Sequence, residues 1–70
     1  MAPKITKFYI ARQLEGASQL EVAARAQMHV SVLSQLERGW RNPTPDQVDR
    51  LARALPKLRE AEILLHSEEK

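Results

Sequence analysis

Seventy residues suit one small domain. The absence of cysteine leaves it neither a disulfide framework nor a thiolate metal site, as in a protein of a reducing cytoplasm. Apolar runs of only a few residues exclude a membrane span or a signal-peptide core. The formal charge of +2 is uneven, because residues 1–53 hold eight Lys/Arg against five Asp/Glu while residues 54–70 hold three against four, so the basic part fits a polyanionic partner.

Met1 to Lys4 reads as a loose arm bounded by Pro3, with Lys4 and Lys7 either touching phosphate or simply solvated. From about Ile5 to Glu15 the apolar set Ile5, Phe8, Ala11 and Leu14, with Tyr9 and Ile10 beside it, predicts an amphipathic helix ended by Gly16. Phe8 is its core residue. Ser18 followed by Glu21 is a capping box, in which the serine hydroxyl accepts from the Glu21 amide and the carboxylate from the Ser18 amide. A second helix therefore starts there, and Ala23 is small enough to let a neighbour cross closely. Gln19 in its first turn can join the open helix amides in holding a phosphate, or can be an ordinary polar first-turn residue. Leu20 and Arg25 stay ambiguous.

A third helix, roughly His29 to Arg38, carries Leu33 and Leu36 on one face. Val30, Ser31, Ser34, Gln35 and Arg38 share the other, small or hydrogen-bonding and without an acid among them, so this face can enter a major groove without repelling phosphate. Gly39 stands where a left-handed residue closes the helix, and Arg38 in the last turn suits its dipole. After the loop WRNPT, Thr44 as cap, Pro45 at the first position and Gln47 closing the box start a fourth helix to about Leu55, with Val48, Leu51, Ala52 and Leu55 as core face. Trp40 packs as a lid on the core or donates to a phosphate. Pro56 breaks the chain before a last helix, about 57–67, whose Leu58, Ala61, Ile63, Leu64 and Leu65 exceed what one edge of a small core needs. Ile63 and Leu65 are candidates for a two-fold interface, the alternative being burial on the chain's own helices.

Taken jointly, the GxSQ opening at Gly16 to Gln19, Ala23, the Leu33 and Leu36 pair and the run ERGWRNPTPDQVDRLARAL from Glu37 resemble, without a gap from Gly16 to Leu55, the helix-turn-helix domain of the Cro/XRE-type phage repressors. That resemblance implies an all-α, five-helix lambda-repressor-like DNA-binding domain over residues 1–70, with its helix-turn-helix at about 18–38. It implies base reading by Val30, Ser31 and Gln35, and phosphate contacts from Gln19, Ser34, Arg38, Arg41 and Asn42. It also sets Arg12 opposite Glu37 as a partly buried ion pair tying the first helix to the third. Two positions depart from the family pattern: Gln27, where the turn usually holds glycine, and His29, where a Ser or Thr cap is common. A non-glycine residue in a left-handed turn costs about 1 kcal/mol, so the turn is strained or shifted.

The implied activity is that of a DNA-binding transcription regulator, a homodimer that represses by occupying a palindromic double-stranded operator, with RNA polymerase or a toxin as possible further partners. The rival class is a protein-interaction module, such as an antitoxin, holding its partner through the last helix. No cofactor or metal is called for. His29 and His66 have no helix-spaced ligand partner and no serine stands in a nucleophile elbow, so an enzyme is not expected. His29 reads instead as a helix-start residue within reach of phosphate, and His66 as solvated.

Overall fold

The computed structural model describes residues 5–67; the sequence-based readings of Lys4 and of the His66 side chain fall outside what it describes. In chain order the helices are α1 (Lys7–Glu15), α2 (Gln19–Arg25), α3 (Val30–Glu37), α4 (Pro45–Ala54) and α5 (Leu58–Ser67), and no strand occurs among the described residues.

The starts of α1 to α4 are each set by a side chain that accepts an amide proton the helix leaves open. Both expected boxes are present: Ser18 with Glu21 at α2, and Thr44 with Gln47 at α4, where Pro45 fills the first position. The Ser18 amide, and then its hydroxyl, hold the Glu21 carboxylate below its usual range against weak desolvation, with a further lowering from Arg25. At α1 the cap is Thr6, whose oxygen accepts from the Tyr9 amide. This start lies later than the apolar pattern suggests, and it leaves Ile5 outside the helix and 67% exposed rather than in the core. Gly16 ends α1 at φ 70°, where only the left-handed backbone calls for glycine, since an added Cβ would meet nothing within 4 Å.

The core gathers one stripe from each helix: Phe8 and Ala11, Val22 and Ala23 with Ala26, Leu33 and Leu36, Leu51 with Ala54 and Leu55, and Ala61. Leu33, Leu36, Leu51, Leu55 and Val22 are fully enclosed, and burying each such side chain stabilises by about 1.5–3 kcal/mol. Helix α1 packs mainly on α5 and also on α3, while α2 lies against α3 and α4. Alanines at positions 23, 26, 54 and 61 permit these close approaches.

On α4 the expected core face is corrected at two places. Ala52 is exposed and Val48 is at the rim, because the buried stripe runs through Leu51, Ala54 and Leu55, and Ala52 points about 200° away from Ala54. Leu14 and Tyr9 on α1 are likewise rim residues. Trp40 is 55% exposed and covers no core; its ring lies under the Arg38 guanidinium, 5.0 Å from the centroid.

The α2–α3 turn keeps its left-handed residue even though that residue is Gln27, at φ 54°. The strain is therefore retained rather than avoided by a shift. Arg50 of α4 contributes to holding it, donating from Nη1 to the Gln27 carbonyl at 2.9 Å while Nη2 pairs with Asp46. Gln27→Gly is expected to stabilise the fold by about 1 kcal/mol, read as a higher urea midpoint at unchanged slope. An unchanged or lowered midpoint would show that the Gln27 side chain earns its place by a contact of its own.

Candidate nucleic-acid interface

Helix α3 is positioned from its two ends. At its start His29 is the N-cap: the Ser31 amide donates to Nδ1 at 3.2 Å, and the same nitrogen lies 2.8 Å from the Ser31 hydroxyl oxygen. A histidine thus does the work usually left to serine or threonine. At its end Gly39 takes φ 74°, and the Trp40 amide donates back to the Gln35 carbonyl at 3.0 Å.

The far end is anchored through Glu37, the one acidic residue of the helix. It is 3% exposed. Its carboxylate accepts from Arg12 Nε at 2.7 Å and Nη2 at 3.1 Å, and from Gln19 Nε2 at 3.1 Å; its carbonyl accepts from the Thr6 hydroxyl at 2.7 Å. Arg12 spends its remaining Nη1 on the Ala17 carbonyl at 3.1 Å, so one network joins the cap of α1, the α1–α2 loop, the start of α2 and the end of α3. Gln19 enters this network instead of standing open toward solvent. One amide proton is committed to Glu37, which leaves the second Nε2 proton and the free first-turn amides of α2 for any phosphate.

Turning Glu37 inward has an electrostatic consequence. The face opposite Leu33 and Leu36 keeps no negative charge, and Ser31, Ser34, Gln35 and Arg38 fall there within an arc of about 100°. Ser31 and Arg38 are exposed, while Ser34 and Gln35 are half-buried at its borders. Val30 is half-buried against the core, about 100° round from Ser31, so it flanks this face; Val32 takes the equivalent place on the other side.

Arg38, Arg41 and Asn42 continue the surface beyond the helix, all exposed. Among the described residues the resolved ion pairs are Lys7–Glu62, Arg12–Glu37, Arg50–Asp46 and Arg53–Asp49, so neither Arg38 nor Arg41 has its charge met by a carboxylate. Lys7 is not simply solvated, since it lies 3.0 Å from Glu62 and ties α1 to α5. On α5 Ile63 is 62% exposed, whereas Leu65 is half-buried.

Three residues that matter here were not singled out in the sequence: Thr6, Arg50 and, as an outward flank, Val32. Thr6 had a local signal, a threonine three residues before the Tyr9 amide it caps. Arg50 had none, because its carbonyl partners lie more than twenty residues away.

No described helix is long and apolar enough to cross a membrane. A helix-turn-helix family model matches residues 8–63, well over half of the chain. No curated protein and no solved structure gave a match.

Proposed function

The chain belongs to the Cro/XRE-type helix-turn-helix family of DNA-binding regulators, and on that premise we propose that it acts in the cytoplasm as a homodimeric repressor occupying a palindromic operator. One observation carries the reading: α3 presents Ser31, Ser34, Gln35 and Arg38 outward while its single carboxylate is buried on Arg12. A surface helix with hydrogen-bonding side chains and no acid can lie in a major groove, where base edges offer donors and acceptors between two rows of phosphate.

Within that reading Gln35 reads adenine, giving one hydrogen bond to N7 and taking one from N6, and the half-buried Val30 meets a thymine methyl at the groove edge. Gln19, Ser34, Arg38, Arg41 and Asn42 hold the flanking phosphates and set the register. Two copies docked about 34 Å apart would place two α3 helices in successive major grooves, with Ile63 and Leu65 of α5 at the two-fold contact.

Selection of bound duplexes from a random pool by the purified protein tests this at once. The expected product is an inverted repeat with an A·T-containing half-site, bound less tightly as salt rises because phosphate contacts release counterions. An unenriched pool would end the reading, and enrichment of a single unrepeated half-site would remove the dimer. Gln35→Ala should weaken the selected operator by about 1–3 kcal/mol and random DNA far less, flattening selectivity at one or two base pairs. Equal weakening of all sequences would mean that Gln35 only positions the helix on phosphate.

A further inference from the structure

The cap of α3 also bears on what Ser31 can read. A backbone amide can only donate, so the Ser31 amide bound to His29 Nδ1 requires that nitrogen to carry a lone pair, which puts the ring proton on Nε2. The Ser31 hydroxyl lies 2.8 Å from the same Nδ1. Nδ1 has a single in-plane lone pair, so the amide at 3.2 Å and the hydroxyl at 2.8 Å share it, and in this tautomer the hydroxyl is the donor of the shorter contact. A serine hydroxyl has one proton and two lone pairs, and here the proton is already spent inside the protein.

We propose that His29 is a specificity-determining positioning residue: by taking the Ser31 hydroxyl proton it makes Ser31 a hydrogen-bond acceptor toward DNA, so that Ser31 selects an amino base, adenine or cytosine, over a keto base, thymine or guanine. The inference rests on α3 reading a major groove, as proposed above. Every base pair there presents one amino donor, adenine N6 or cytosine N4, opposite one keto acceptor, thymine O4 or guanine O6. An acceptor-only side chain therefore distinguishes the two orientations of a pair, A·T from T·A and C·G from G·C. An unconstrained serine, able to turn its proton outward, would accept either.

His29 is exposed and its only described side-chain partner is Ser31, so changing it need not disturb the core. The pair contacted by Ser31 is found as the one whose preference disappears in Ser31→Ala, using duplexes selected by the wild-type chain. At that pair the wild type should bind the amino base roughly three- to tenfold more tightly than the keto base, the range expected of one net hydrogen bond. Replacing the adenine there by purine, which lacks the N6 amino group, should remove the same factor. His29→Ala should lower the discrimination to under about twofold while preferences at the other pairs persist, because its serine proton can again turn outward. His29→Asn, whose carbonyl oxygen can both cap the helix and take the hydroxyl proton, should restore it.

A cap that merely holds the helix would, on removal, weaken all sequences alike and leave the amino preference intact. That pattern in His29→Ala would overturn the proposal while base reading by α3 stands, as would a keto preference in the wild type or indifference to purine. Should His29→Ala fail to fold, the wild-type purine comparison and His29→Asn still decide. A pool with no enriched sequence at all defeats the groove reading itself, and this inference with it.

Discussion

Glu37→Ala is expected to destabilise the fold by about 3–5 kcal/mol, the loss typical of removing one partner from a buried ion pair. The mechanism is specific to this site. Arg12 has a side chain only 13% exposed, and without Glu37 its Nε and Nη2 protons have no acceptor and little access to water. The Gln19 amide loses its partner as well, and α3 loses its tie to the start of α2. Removing both charges together, as Arg12→Met with Glu37→Leu, should cost much less than the sum of the single changes, since no stranded charge remains. Urea unfolding of the wild type, Arg12→Met, Glu37→Leu and the double variant, in enough stabilising osmolyte to keep the single variants folded at zero urea, closes the cycle. A coupling indistinguishable from zero would mean that the pair, despite its two short contacts, adds nothing to the folded state.

Such a network also explains why the helix ends were legible in the sequence and the network was not. Ser18 with Glu21, Thr44 with Gln47, and glycine at positions 16 and 39 act on amides and carbonyls within a few residues, so their spacing is itself the mechanism. The positions of Leu33 and Leu36 were legible for a related reason, a period of one helical turn. Periodicity fixes the width of an apolar stripe better than its phase. Val48 and Ala52 fit the period of α4 as well as Ala54 does, and only the way α2 crosses α4 decides that the stripe runs through Leu51, Ala54 and Leu55.

Contacts between distant residues are less legible still. Nothing near Lys7 announces Glu62 as its partner, nor anything near Arg50 the carbonyl of Gln27. The pairing of Arg12 with Glu37 came from family resemblance, and the Gln19 amide on the same carboxylate came only with the structure. The outward face of α3 was half legible: its polar composition stands in the sequence, but that Val30 retreats to the flank and that Ser31 faces His29 depend on the packing and the cap.

Leu33→Ala should have the other large effect, and its signature separates folding from recognition. Leu33 is fully enclosed and sits on the inner face of the helix whose outer face is proposed to meet DNA. Truncation there removes transfer free energy and leaves a cavity that close-packed alanines can fill only in part, for about 2–5 kcal/mol. A domain of this size has only about 3–5 kcal/mol from a single core, so a substantial share of the variant should be unfolded at 25 °C. Helical circular dichroism would show that share directly. Because only the folded chain presents α3, its selected duplex at about 100 times the dissociation constant should return about 2.7 kcal/mol of stability and restore much of the helical signal. The apparent affinity should fall by the folded fraction, and the order of preferred sequences should stay as in the wild type. Gln35→Ala should do the reverse, leaving the unfolding midpoint nearly unchanged while flattening sequence preference. A Leu33→Ala chain as stable as the wild type would place that side chain outside the core, and one that folds on DNA but prefers different sequences would mean that the core leucine sets the angle at which α3 enters the groove.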